Sequence, residues 1–333
     1  MDINIIHNES CLSGLKMLAD NSIDCCVTSP PYFGLRDYGT SEQIGLEETP
    51  ELFVQQLVNV FSQVKRVLKT EGTLWLNIGD SYSGSGKGGN NDMHTGRPLS
   101  SSGHKYSGLK NKDLIGIPWM VAFALRANGW YLRQDIIWSK PNPMPESVTD
   151  RCTKAHEYIF LLSKSNKYYY DAESIKVVAK NPEDDLRRMR QQKSENKYAA
   201  TETLNGLRPR KSGNKERKSG SDRGCPEGTG SNVCSSVPWE GTKANKRSVW
   251  TVTTKPFKEA HFATFPEDLI VDCIKAGCPE NGIVLDPFMG AGTTALVAKK
   301  LNRNYIGYEL NADYIKIAET RIFNSIGLFA PTS

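Results

Sequence analysis

Ile283-Val284-Leu285-Asp286-Pro287-Phe288-Met289-Gly290-Ala291-Gly292-Thr293-Thr294 constrains this 333-residue chain more than any other stretch. A short apolar run ends at an acid, a glycine turn follows, and a helix-forming run starts at Thr293. Strand, tight turn and helix in that order is the unit of parallel sheets with helical crossovers. The glycines at 290 and 292 would let a ligand approach backbone that side chains would otherwise cover. Glu309 ends the next apolar run, 17 residues beyond Gly292. A carboxylate there can accept hydrogen bonds from ribose hydroxyls, so the pair indicates an adenosine-type cofactor. Gly-Ala-Gly-Thr-Thr-Ala also fits the dinucleotide pattern G-x-G-x-x-A, which keeps a nicotinamide-dependent oxidoreductase open. The Gly-Lys-Ser/Thr of a phosphate-binding loop is missing, which argues against an NTPase.

The same rhythm appears at both ends of the chain. At the N-terminal end, Ile3 to Ile6 is a short apolar run, Leu12, Leu15 and Leu18 lie at helical spacing, and Ile23 to Thr28 suits a buried strand. Leu52 to Leu68 predicts a helix and Thr73 to Ile78 a strand; Ile117 to Asn128 predicts a helix, with a strand at Tyr131 to Trp138 and a further apolar run at Glu157 to Ser163. At the C-terminal end, helices are expected at 267–276, 293–301 and 312–323, and strands at 282–286 and 305–309. The expected fold is α/β, a doubly wound, mostly parallel sheet assembled from both ends of the chain. Two polar stretches interrupt it. Residues 81–111 are rich in Gly, Ser and Asn and read as a mobile loop, a length that usually signals a lid or binding loop. Residues 180–250 hold 16 Lys/Arg against 9 Asp/Glu, while the whole chain is only +5, so positive charge is concentrated there. Such a segment is either a solvated insertion or a nucleic-acid contact. The reading divides the chain at 1–175, 176–250 and 251–333.

Eight cysteines show no C-x-x-C spacing and no paired histidines accompany them, so no metal site is expected. The N-terminus lacks a basic region followed by an apolar stretch, and no run of about 18 apolar residues occurs. A cytoplasmic protein with reduced thiols, away from membranes, is the expectation.

Thr28-Ser29-Pro30-Pro31-Tyr32 closes the second strand. The prolines remove two backbone donors and stiffen the chain, leaving carbonyls near Ser29 and Pro30 as outward acceptors. Tyr32 offers a face on which a planar base could stack, worth about 1–3 kcal/mol. Standing alone, the pentapeptide would also suit an ordinary strand-ending turn.

Together, Asp286-Pro287-Phe288-Met289-Gly290-Ala291-Gly292-Thr293-Thr294 and Thr28-Ser29-Pro30-Pro31-Tyr32 resemble the S-adenosylmethionine-dependent DNA amino-methyltransferases. With the proline motif N-terminal, the glycine motif C-terminal and a variable segment between, the order resembles the β class. The likeness extends through Tyr32 to Gly39, Ile136 to Asn142, Asp150-Arg151 and His156-Glu157-Tyr158. It implies a seven-stranded Rossmann-like methyltransferase fold whose insertion recognises the target, and double-stranded DNA as partner. It implies catalytic roles for Ser29, Pro30, Pro31 and Tyr32. For S-adenosylmethionine it implies contacts from Thr28, Asp286, Pro287, Phe288, Gly290, Gly292, Thr293 and Thr294, with Glu309 on the ribose. His261, Phe262, Ala263 and Pro266 resemble the segment that covers the methionyl end. Many relatives carry Gly-Asp before the first helix where this chain has Glu9-Ser10; Ser10 is the expected contact there.

An exocyclic amine has its lone pair delocalised into the ring, so acceptors such as Ser29 Oγ and the Pro30 carbonyl would hold its N–H groups while nitrogen attacks the methyl. Ring-carbon methylation would use a Pro-Cys nucleophile, and no such dipeptide occurs. Within the resembled family Ser at this position accompanies cytosine-N4 methylation and Asp adenine-N6; cytosine is the expectation, adenine the alternative. Arg36, Asp37, Trp138, Lys140, Arg151, His156 and Glu157 are candidate substrate-side residues, though Arg151 with Glu157 could be a structural ion pair. A separately acting restriction endonuclease is a possible companion.

Overall fold

The computed structural model describes residues 1–34, 43–83, 109–179, 243–255 and 265–327. Residues 84–108 of the expected loop and 180–242 of the basic insertion lie outside the described residues, as do Arg36, Asp37, His261, Phe262 and Ala263. The chain divides into two units, Met1–Ile175 with Arg247–Ser333, and Lys176–Lys246.

The larger unit opens with β1 (Ile5–His7), α1 (Cys11–Met17), β2 (Ile23–Thr28), α2 (Pro50–Val67) and β3 (Leu68–Ile78), and continues with α3 (Ile117–Ala127), β4 (Tyr131–Ser139) and β5 (His156–Ser163). In the smaller unit β6 (Val177–Val178) and β7 (Lys243–Ala244) pair antiparallel. The larger unit resumes with β8 (Val249–Thr251), α4 (Glu267–Gly277), β9 (Ile283–Asp286), α5 (Thr293–Lys300), β10 (Asn304–Tyr308) and α6 (Ala312–Gly327).

Its sheet runs β1-β10-β9-β2-β3-β5-β4-β8. Neighbours are parallel throughout except at β5, which runs antiparallel to both β3 and β4. The C-terminal strands β9 and β10 are therefore slotted between β1 and β2, as a core built from both ends requires. Seven strands are expected, and this sheet has eight among the described residues. The extra strand is β8, which pairs with β4 through Ile137↔Val249 and Trp138↔Trp250 and buries Trp250 to 5% exposure. Three residues beside a basic run carry no readable periodicity, so in the sequence they look like part of the insertion.

Alternation along the strands divides the apolar residues between two cores. Cys26, Leu74, Leu76 and Phe160 pack with Leu15, Phe53, Leu57 and Val121 of α1 to α3. Their neighbours Cys25, Val27, Trp75 and Leu161 pack with Leu269, Cys273, Ala295 and Ile315 of α4 to α6. Helices from the N-terminal half thus cover one face and those from the C-terminal half the other, and strands buried on both sides read as continuous apolar runs. No helix among the described residues is long and apolar enough to cross a membrane.

The 18-residue α2 shows how local signals set an element. Thr49 accepts the Leu52 N–H at 3.2 Å, Pro50 opens the first turn, and Phe53, Leu57, Val60, Phe61 and Val64 form the buried stripe. Thr49→Ala should cost about 1 kcal/mol in urea denaturation, with Thr49→Ser restoring most of it; an unchanged midpoint would contradict the cap's contribution.

Candidate active site

Strands β2 and β9 are neighbours in the sheet although their sequences lie far apart, and their carboxyl ends finish side by side. This is the edge at which ligands bind in doubly wound sheets. Asp286, 1% exposed, joins the two ends. Its Oδ1 accepts the Thr28 hydroxyl at 2.6 Å and the Phe288 N–H at 3.0 Å, and its Oδ2 accepts the Thr294 hydroxyl at 2.6 Å. Thr294 Oγ1 also lies 3.3 Å from the Val27 carbonyl oxygen. Burial pushes the Asp286 carboxyl up to about 6, with the three donors pulling the other way and Glu309 adding to the rise. Asp286, Thr28 and Thr294 thus lock the glycine turn to the end of β2.

The turn presents its glycines for two different reasons. Gly290 has φ 52°, a Cβ there would meet nothing within 4 Å, and its N–H donates to Glu309 Oε2 at 2.8 Å. That is an open cradle lined by backbone. Gly292 has φ 76°, and a Cβ would lie 2.5 Å from the Ala318 Cβ of α6, so this glycine admits a helix rather than a ligand. The sequence suggests ligand approach for both; packing explains the second. Pro287 is buried and Phe288 half-buried, while Thr293, 4% exposed, accepts from Arg321 at 3.3 Å.

Glu309 Oε1 accepts the Asn311 N–H at 2.8 Å, and its pKa is raised by burial against these backbone donors. Asn8 Nδ2 donates to the carbonyls of Glu309 and Leu310 at 3.0 and 2.8 Å, tying the segment before α1 to this corner. Ser10 follows at the N-cap of α1, where its side chain makes no capping hydrogen bond. Thr28, Ser10, the turn and Glu309 therefore share one end of the sheet. Phe262 lies outside the described residues.

On the β2 side Pro30 is buried, and Ser29, Pro31 and Tyr32 are half-buried. The Tyr32 ring lies over Gly79, where a Cβ would come within 2.6 Å of its Cε2. The Tyr32 hydroxyl donates to Glu157 Oε2 at 2.7 Å and lies 3.4 Å from Asn77 Oδ1. Burial first, then the Glu157 carboxylate, hold that hydroxyl well above the ordinary phenol range, so it remains a donor. Glu157 is also ion-paired with Lys140, and Lys140 sits 4.2 Å from the centroid of the Trp138 ring.

Of the substrate-side candidates, Lys140 and Glu157 thus meet at Tyr32. Trp138 is 3% exposed, with its Nε1 donating to the Val252 carbonyl at 2.8 Å, and acts as core. Arg151 does not pair with Glu157: it donates to Glu146 at 2.6 Å and lies 4.1 Å over the Tyr82 ring. Glu157 is drawn to β4 instead, because β5 lies antiparallel beside it and sets Glu157 opposite Trp138. His156 pairs with Ser139 across the same two strands. Sequence reasoning missed Asn77, Gly79 and Asp80. Asp80 accepts the Gly116 and Ile117 N–H groups and starts α3. The available signal was a buried strand ending in Asn-Ile-Gly-Asp at the edge where Ser29 also falls.

A family model described as DNA methylase matches residues 23–320. The chain belongs to the DNA methylase family. It is 43% identical over 313 residues to the type II methyltransferase M.Cfr9I of Citrobacter freundii, covering 93% of this chain and 85% of that one. To the type II methyltransferase M.SmaI of Serratia marcescens it is 44% identical over 301 residues, covering 90% and 84%. The fold is shared with the PvuII DNA methyltransferase (cytosine-N4-specific), at TM-score 0.58, 16% identity and coverage of 95% and 85%. It is shared too with a putative DNA modification methylase from Thermus thermophilus, at TM-score 0.55, 19% identity and coverage of 98% and 95%. This DNA methylase carries its proline motif ahead of its glycine motif and is a β-class DNA amino-methyltransferase. The oxidoreductase reading of the glycine turn falls with that membership.

The raised Asp286 carboxyl gives a signed prediction. With its folded value above its unfolded one, the group costs stability as pH rises from about 4 to beyond 6 and costs nothing at lower pH. Urea denaturation of wild type and Asp286→Asn should show the difference moving toward the variant by about 2 kcal/mol between pH 4 and 7; parallel profiles would overturn it.

Proposed function

We propose that this methyltransferase transfers the methyl group of S-adenosylmethionine to the N4 nitrogen of a cytosine extruded from duplex DNA. The observation that carries the reading is the Thr28–Asp286 hydrogen bond, which sets the Ser-Pro-Pro-Tyr corner beside the glycine turn at one sheet edge.

The residues at the turn fit the cofactor. The backbone cradle at Gly290 has room for a ligand, the half-buried Phe288 offers an apolar wall, and Glu309 has lone pairs left for ribose hydroxyls beside its backbone donors. Ser10, Pro287 and Thr293 complete that corner, and Phe262 is proposed to cover the methionyl end. When bound, the cofactor supplies an electrophilic methyl on a sulfonium. The chain's own residues do the rest. Tyr32 stacks on the extruded base, Ser29 Oγ and the Pro30 carbonyl accept the two amine N–H bonds, and Pro31 holds the corner rigid. Holding both hydrogens favours a pyramidal nitrogen whose lone pair points at the methyl; as the N–C bond forms the S–C bond would break to leave a neutral thioether, and the methylated amine, cationic at that moment, would release a proton to water.

Serine at the head of the tetrapeptide supports cytosine, because a neutral hydroxyl takes the place that a carboxylate holds in the adenine-directed members the sequence resembles. The basic insertion would supply phosphate contacts, with DNA affinity falling steeply as salt rises. The relatives' type II designation supports a part in a restriction-modification system beside a separate endonuclease.

Tritiated methyl transferred to duplex DNA should appear as N4-methylcytosine in a nucleoside digest; N6-methyladenine would refute the base. Ser29→Ala and Tyr32→Ala should each slow transfer by about a hundredfold or more while the cofactor Kd stays nearly unchanged. Turnover at the wild-type rate would remove the catalytic assignment.

A further inference from the structure

A stacking platform needs only a ring, yet the Tyr32 hydroxyl is tied into a buried charged network. The carboxylate of Glu157 takes the Tyr32 O–H on one oxygen and Lys140 on the other. Side-chain exposures of 18% for Lys140 and 14% for Glu157 put the pair largely out of water, where desolvation offsets much of the Coulombic gain. Hydrophobic residues of similar size would serve stability as well. The pair is instead aimed at one atom, and its supports come from separate strands. Asn77 at the end of β3 donates to Glu157 Oε2 at 3.4 Å and to the Tyr158 carbonyl at 3.1 Å. Lys140 follows β4 and rests on the Trp138 ring, which is itself anchored to Val252 beyond β8. Gly79 leaves bare backbone beneath the Tyr32 ring.

We propose that Glu157, held by Lys140, is a positioning residue that fixes the plane of Tyr32, and with it the angle at which the extruded base meets the acceptors at Ser29 and Pro30. This rests on the reading of Tyr32 as the stacking platform. Tethered only through Cβ, the ring could tilt about two side-chain torsions. Tethered also at Oη and backed by Gly79, it is held at both ends before any base arrives, so ordering cost is removed from the transfer step. Glu157 touches neither base nor cofactor in this scheme and acts through Tyr32.

The test is a double-mutant cycle on Tyr32→Phe and Glu157→Gln in the full-length enzyme, read by single-turnover methyl transfer to duplex DNA, with DNA and cofactor affinities measured alongside. Tyr32→Phe keeps the ring and loses the tether. It should slow transfer roughly ten- to a hundredfold, the range of a hydrogen bond to a charged group, with little change in either affinity. Glu157→Gln, which keeps an acceptor, should lose less than Glu157→Ala. Tyr32→Phe combined with Glu157→Ala should be no slower than the slower single variant. A merely structural pair would lower the melting temperature and leave the transfer rate of folded enzyme untouched. Wild-type transfer by Tyr32→Phe, or losses that multiply in the double variant, would overturn the proposal. Should a Glu157 variant fail to fold, Tyr32→Phe decides alone. A wild-type enzyme that methylates no DNA amine would instead overturn the proposed function, so the two failures are separable.

Discussion

One buried carboxylate holds the working edge of this protein together. Asp286 gathers the Thr28 hydroxyl, the Thr294 hydroxyl and the Phe288 N–H, so the end of β2, the end of β9 and the start of α5 share a single acceptor. Burying a carboxyl this deeply is costly, and its raised pKa is the sign of that cost. Three hydrogen bonds, two of them short, offset part of it. The result is a joint between pieces of chain that lie 258 residues apart, placed where two functional motifs have to meet.

From that joint the edge extends in both directions. Toward β10, the Gly290 N–H and Glu309 close a backbone-lined corner, and Asn8 stitches the segment before α1 to it. Toward β5, Tyr32 is held by Glu157, Asn77 and the bare backbone of Gly79. The two sides differ in chemistry. The first is mostly backbone and suits a ligand recognised by shape and hydroxyl groups. The second is a charged side-chain network around an aromatic ring, suited to setting the angle of a planar base.

Much of this could be read from the residues. The apolar runs at 23–28, 73–78 and 283–286 are strands because they are buried on both faces, and α2 and α4 follow their apolar spacing. The Ser-Pro-Pro-Tyr and glycine motifs lie at strand ends, where a stiff corner and a positive-φ turn must be. Other features were illegible for identifiable reasons. The reversed direction of β5 leaves no mark, since an apolar run reads alike in either sense. β8 is too short to show a period. Gly292 looked like a ligand-facing glycine because nothing local reveals that Ala318 presses against it.

The sequence by itself determined which residue types stand where chain direction changes: proline pairs, glycines, a closing acid, and an aromatic after a strand. Those choices are governed by backbone torsions and by hydrogen-bonding groups a few residues apart, which any local stretch carries. Only the tertiary structure decided that Arg151 pairs with Glu146 while Glu157 pairs with Lys140 and receives the Tyr32 hydroxyl. Those partnerships depend on strand order and direction. They arise from how two cores pack against opposite faces of one sheet, and no neighbour in the chain records that.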